Sequence, residues 1–100
     1  MNTSYRDLDI TSYKDLDIGQ KLYIVEECGI DCSYFIEPYR LTKFVVYEDT
    51  GLDEIMVENA HHKYIYERKD FYKIFPTQDD AIKYCEKMGV AYSFLKEVNI

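Results

Sequence analysis

Short apolar runs of strand character fill the chain from residue 21 to residue 75, and only beyond them does the period change. Lys21-Leu-Tyr-Ile-Val-Glu26 follows a turn at Gly19 and has the β-branched and aromatic content of a strand. A turn at Cys28–Cys32 separates it from two further β-rich runs, Tyr34–Ile36 and Leu41–Tyr47. Pro38 is expected to divide these two, because proline cannot donate to a ladder and marks an edge or a bulge. Glu48-Asp-Thr-Gly51 carries turn chemistry. Glu54–Val57, Lys63–Glu67 and Phe71–Phe75 read as three more short strands, the last from its alternation.

Pro76-Thr77 opens a different pattern. Thr77 with Asp80 has the form of a capping box with the shorter acid, and Asp79 and Asp80 lie where a helix dipole favours negative charge. Ala81, Ile82, Cys85 and Met88 make one apolar stripe, and Gly89 is a natural terminator. The pattern predicts one helix over about residues 77–89; Val90–Val98 after it fits either a closing strand, the preferred reading, or a second helical turn. The fold class is therefore α+β: five or six short strands in a small curved antiparallel sheet or barrel, with a C-terminal helix plugging one open side.

Ahead of the first strand one octapeptide occurs twice, as Thr3-Ser-Tyr-Arg-Asp-Leu-Asp-Ile10 and Thr11-Ser-Tyr-Lys-Asp-Leu-Asp-Ile18. Eight is even, so in an extended segment both copies present the same faces. In a helix the same shift would turn the face by about 80°. An extended or loose arm over residues 1–18, preceding a single domain over 19–100, is the expected organisation. Such an arm is either a tail without function or a strand able to pair with a sheet edge.

Composition changes this picture in two ways. Eleven tyrosines and no tryptophan are more than one small core can use, since each buried hydroxyl wants a partner, so some are expected at a surface. The net charge of −7 is concentrated as well: residues 22–62 hold nine acids against Arg40 and Lys43. Acidity there opposes direct nucleic-acid binding, where phosphate contacts supply most of the affinity, and favours a basic partner or simply solubility. No basic, apolar start resembles a signal peptide and no stretch reaches the ~20 apolar residues of a membrane span, so a cytoplasmic protein without membrane association is expected. Three cysteines, an odd number, fit a reducing compartment.

Candidate chemistry is sparse. Cys28, Cys32, His61, His62 and Cys85 include zinc-ligand types, but the Cys-x3-Cys spacing lacks the tight paired pattern of a structural zinc site. A cysteine nucleophile would have to draw its base from His61 or His62, which are expected in a loop before a strand. Asp15-x-Asp17 with Glu26 echoes a calcium loop but puts Gln20 where the sharp turn demands glycine. No cofactor and no metal are expected, and the chain reads as non-enzymatic.

Two phrases carry a resemblance. Tyr13-Lys-Asp-Leu-Asp-Ile-Gly-Gln-Lys-Leu-Tyr-Ile-Val25 is similar to the opening of small proteins of phages and mobile elements of Gram-positive bacteria, where it starts the first strand of an SH3-like barrel. Phe75-Pro-Thr-Gln-Asp-Asp-Ala-Ile-Lys-Tyr84 resembles the phrase that opens their terminal helix. The resemblance implies an SH3-like barrel and a phage-type accessory protein, a group whose sources also yield anti-CRISPR and other inhibitors of host defence. It carries no site residue across.

The leading expectation is an acidic binding protein, an inhibitor whose carboxylates stand in for phosphates on a basic, nucleic-acid-binding protein surface. The residues expected to touch that partner are Tyr47, Glu48, Asp49, Asp53, Glu54 and Glu58, the longest acidic run free of bases. The alternative is a nucleotide or similar small-ligand binder acting as an oligomer, with Lys63, Arg68, Lys69 and Lys73 near its pocket. A homodimer is compatible with either. A small hydrolase or metal enzyme is a third class, which elemental analysis would test.

Overall fold

The strands between residues 21 and 75 form one curved sheet, most of them burying apolar side chains on the concave side while a helix covers part of the convex side. The computed structural model describes residues 16–27, 33–47 and 51–94. Strands β1 (Lys21–Glu27), β2 (Tyr34–Tyr47), β3 (Gly51–Glu58) and β4 (Lys63–Glu67) form an antiparallel meander. Strand β5 (Ile74–Phe75) returns to pair with β1, giving the order β4-β3-β2-β1-β5. With β4 and β5 as its two ends, the sheet is curved but not closed into a barrel. Strand β6 (Tyr92–Phe94) lies beside the start of β2, in parallel register.

Strand β2 is the spine. Its first half pairs with β1 and its second half with β3, the two pairings meeting at Arg40. Two register shifts against β3, between Leu41 and Lys43 and between Val45 and Val46, leave Thr42 on β2 and Asp53 on β3 as extra residues. Such bulges increase local twist and bend the strand. The Thr42 hydroxyl donates to the Met56 carbonyl at 3.1 Å, holding the first bulge.

The register sorts side chains onto two faces. Leu22, Ile24, Tyr39, Leu41, Leu52, Ile55, Val57 and Tyr66 fill the concave face with Phe71 and Ile74. Val25, Ile36 and Phe75 lie on the other face, under Ala81 and Cys85 of helix α1 (Gln78–Met88). The helix is short and contacts β1, β2 and β5, so it covers only that end of the convex face. Leu16, from the second octapeptide, is buried in the concave core, and Gly19 and Gln20 exchange backbone hydrogen bonds with Leu41. The end of that copy thus packs with the domain; residues 1–15 lie outside the described residues.

Helix α1 forms where the capping pattern put it. Thr77 adopts an extended conformation and its hydroxyl accepts the Asp80 N–H at 3.2 Å. Gly89 has φ 71°, a conformation that a side chain disfavours, while its own N–H and that of Val90 close onto Glu86 and Cys85 carbonyls.

Two expectations are corrected. Pro38 does not divide a strand: β2 runs through it as one strand of 14 residues. Its carbonyl accepts Asn59 Nδ2 at 3.0 Å, on the side away from β1, so the proline nitrogen faces that side too. There β2 lies between its pairings with β6 and β3, and no ladder bond is lost. Phe71–Phe75 is not one strand but the end of a 3-10 helix, Arg68–Lys73, followed by β5. Phe71 and Ile74, three residues apart, both enter the core, which suits a 3-10 turn and not alternation. The closing strand exists as Tyr92–Phe94; Val90 and Ala91 precede it outside any strand, and 95–98 lie outside the described residues.

Candidate functional site

Strand β3 decides where the acidic run goes. Glu54, Met56 and Glu58 fall on the convex face, opposite the buried Ile55 and Val57. Helix α1 does not reach this part of the sheet. Cross-strand register sets Met56 against Lys43 and Ile65, and Glu54 against Val45 and Glu67. Among the described residues the result is an open face whose centre is apolar: Ile65 is 57% exposed, with Val45 and Met56 half-buried beside it. A shallow depression of about 40 Å³ lies among Lys43, Val45, Glu54, Met56 and Ile65.

The charges around that centre are graded. Toward the β2–β3 turn, Glu54 and Glu67 stand directly opposite each other, a like-charge pair that is unfavourable across strands. Tyr47, 53% exposed, ends β2 at the same end of the sheet. At the other end Glu58 lies between Arg40 and Lys63 in register, with Lys63 Nζ at 3.7 Å. Asp53, on its bulge, has Arg68 Nη2 at 3.7 Å, and Arg68 Nε also donates to the Leu52 carbonyl at 2.9 Å. The expected partner-binding residues therefore divide. Tyr47 and Glu54 present themselves to solvent, Asp53 and Glu58 carry a cation at ion-pair distance, and Glu48 and Asp49 lie outside the described residues. Glu67, Val45, Met56 and Ile65 complete the face. Glu67 was beyond the acidic span of the sequence, and only the β3–β4 register brings it to Glu54.

A second acidic feature lies on the concave side. Glu26 of β1 and Glu37 of β2 face each other across Tyr39, whose hydroxyl donates to Glu37 Oε1 at 3.0 Å and lies 3.4 Å from Glu26 Oε2. Glu37 is 5% exposed, and its other oxygen accepts Asn59 Nδ2 at 2.8 Å. Burial, then the hydrogen bond and repulsion from Glu37, push the Glu26 carboxyl up to about 7. Burial opposes charge on Glu37 too, but hydrogen bonds from Glu26, Asn59 and Tyr39 hold it below the ordinary carboxylate value. Below about pH 7 one proton thus sits on Glu26 and is donated to an ionised Glu37.

Aromatic rings enclose this pair. Tyr39, Tyr64 and Tyr66 have centroids 5.9 and 5.8 Å apart in sequence, and His62 stacks on Tyr64 at 5.4 Å and 17°. Lys73 Nζ lies 5.3 Å from the Tyr66 ring centroid. Burial, and next the Glu26 charge, push the Tyr39 and Tyr66 hydroxyls above the ordinary phenol value. The Asn59 side chain accepts both the His61 and His62 N–H groups at 2.9 Å, so the histidine pair sits in the tight turn before β4. An acid–base couple of this kind is chemically capable, but its oxygens are engaged by Tyr39 and Asn59, and neither carboxylate lines the cavities described here. It joins β1, β2 and the β3–β4 turn.

The largest described cavity is elsewhere. A groove of about 410 Å³ runs between helix α1 and the 3-10 turn, lined by Tyr72, Phe75, Tyr84 and Met88 with Lys83, Lys87 and Asp80. Phe75 and Tyr84 are 5.4 Å apart, and Tyr84 and Tyr72 6.4 Å. A smaller cavity of about 150 Å³ shares Tyr72 and Tyr84 and adds Lys73. Of the cations expected near a ligand pocket, Lys73 reaches this region.

Cys85 is a free, buried thiol whose pKa is raised by burial; Cys28 and Cys32 lie outside the described residues. Among the described residues no helix is long and apolar enough to cross a membrane. Comparison with protein-family models, with curated proteins and with solved structures finds no match to this chain.

Proposed function

We propose that this protein is a non-enzymatic binding protein that applies the open convex face of β2, β3 and β4 to a basic surface of a partner protein. The observation that carries this reading is the Glu54–Glu67 pair on a sheet face that no described element covers, beside the exposed Ile65 and the half-buried Val45 and Met56. An apolar centre with a charged rim is the anatomy of a protein interface. A cation from a partner placed between the two carboxylates would relieve their repulsion, and the net charge of −7 would steer it there. The contact set is Tyr47, Glu54 and Glu67 around Ile65, with Glu58 and Asp53 at the margins through their own ion pairs.

The resemblance to accessory proteins of Gram-positive phages makes a nucleic-acid-binding defence protein of the host the partner class to try first, the carboxylates standing where phosphates would. The test compares wild-type protein with Glu54→Lys/Glu67→Lys and with a control reversal on the helix, Asp79→Lys/Glu86→Lys. A partner captured by the wild type and the control but lost to the first variant supports the reading. Equal capture by all three removes it.

A second reading has an observation of its own. The aromatic groove beside Lys83 and Lys87 falls within the ~300–1,000 Å³ of small-molecule sites. Stacked rings with nearby cations suit a nucleotide. Thermal-shift measurement with nucleotides distinguishes the readings, since a ligand that binds the folded state raises the melting temperature.

A further inference from the structure

Strand β4 is one end of the sheet, and among the described elements it packs on β3 and the 3-10 turn that follows it. Its far edge is a ready template for another strand. The sequence along that edge is Lys63-Tyr-Ile-Tyr-Glu67. Paired antiparallel with a second copy about Ile65, it sets Ile65 against Ile65, each Lys63 against a Glu67, and each Tyr64 against a Tyr66. The strand is thus complementary to itself in charge.

The backbone agrees with this register. The Asn59 N–H donates to the His62 carbonyl at 2.9 Å, which makes residues 59 and 62 a hydrogen-bonded pair. By alternation, the bonded pairs further along are Val57 with Tyr64 and Ile55 with Tyr66. The N–H and C=O groups of Lys63, Ile65 and Glu67 therefore point away from β3. Those are the residues that face one another in the symmetric pairing, so the outward groups of Lys63 and Ile65 would be satisfied by the second copy, while the Glu67 N–H is already donated to Asp70 Oδ2 at 3.3 Å. Their side chains lie on the convex face, where Ile65 is 57% exposed and Glu67 confronts Glu54. A Lys63 from the second copy would bring a cation to Glu67.

We infer that the chain forms a two-fold dimer by antiparallel pairing of β4 with β4 of a second copy, centred on Ile65. The arrangement is isologous, the same patch on both subunits, and joins two sheets into one. It sets the two open faces side by side across the axis. An edge of five residues makes a small interface, so association is expected to depend on concentration in the micromolar range.

Sedimentation equilibrium over about 10 µM to 1 mM is the test. Wild-type protein is expected to shift from monomer to dimer. Lys63→Glu puts a glutamate opposite each Glu67, and Glu67→Lys puts a lysine opposite each Lys63. Each variant alone is expected to weaken the dimer at least about tenfold, since two attractive pairs become two repulsive ones. An equimolar mixture of the two restores opposite charges in both pairs and is expected to sediment as a heterodimer. Should Glu67→Lys lose its fold with the cap it gives the 3-10 turn, Ile65→Lys, at an exposed position, takes its place and is expected to be monomeric. A wild type that stays monomeric overturns the inference. So do variants that dimerise as the wild type does, or a mixture of folded variants that fails to associate.

Discussion

Glu26→Gln is expected to remove a pH dependence that the wild-type fold carries. Glu26 titrates near 4.5 when unfolded and at about 7 in the folded protein, chiefly because the site is desolvated and next because it faces Glu37. The folded state then holds a proton that the unfolded state releases, so stability falls as pH rises from about 4.5 to 7 and levels off above. At full weight the shift corresponds to about 3.4 kcal/mol. Glu26 is only half-buried, and solvent screening brings the expectation to about 1–2 kcal/mol. Glu37 has the opposite shift, and its contribution is lost below that window, as pH falls through its lowered value. Urea unfolding followed by far-ultraviolet circular dichroism at pH 5, 6, 7 and 8 reads the effect. With a slope of about 1 kcal/mol per molar, the wild-type midpoint should fall by about 1–2 M over that range. The glutamine amide donates to Glu37 at every pH, so Glu26→Gln should give a nearly flat profile. His62 also acts electrostatically on Glu37, favouring its ionised form. A His62→Gln variant that keeps most of the slope assigns it to Glu26. A constant wild-type midpoint, or a slope that survives Glu26→Gln, would refute the shared-proton account.

Three other outcomes follow from the same geometry. Glu54→Lys replaces a like-charge cross-strand pair with Lys–Glu, so it should stabilise the fold by about 0.2–1 kcal/mol in urea unfolding while weakening partner capture. If a nucleotide raises the melting temperature, Tyr84→Ala should abolish that rise and Glu54→Lys should leave it intact, because the groove and the open face share no residue. Thr77→Ala should cost about 1 kcal/mol of stability, measured the same way, since it deletes the hydroxyl that accepts the Asp80 N–H.

Helix α1 was legible to within a residue at each end, because its start and stop are written in local chemistry: a capping threonine, acids in the first turn, a terminal glycine. Most strands were legible for a similar reason, the alternation of side chains. Pro38 does mark a stretch of β2 unpaired on one side among the described strands, but it did not divide the strand, because β1 continues the ladder on the other side and the sequence does not state where β2 exchanges β6 for β3. Phe71–Phe75 misled because five residues with three aromatics fit either period, and only the depth of Phe71 and Ile74 distinguishes them. The site was legible in part. Acidity and β3 alternation put Glu54 and Glu58 on one face, but the neighbours that define their surroundings, Glu67 and Lys63, come from another strand through register. The proton-sharing pair of Glu26 and Glu37 depends on the pairing of β1 with β2 and on a hydrogen bond from Asn59, 22 residues beyond Glu37. Nothing local marks it.

The claim that the Glu54–Glu67 face receives a cationic partner can be examined without knowing that partner. Titration of isotope-labelled protein with a short arginine-rich peptide, followed by amide chemical shifts, maps where positive charge settles. The shifts are expected to concentrate at Tyr47, Glu54, Ile65 and Glu67 and to vanish in Glu54→Lys/Glu67→Lys. Shifts scattered over the whole surface, or gathered around Asp79 and Asp80 at the start of helix α1, would contradict the account.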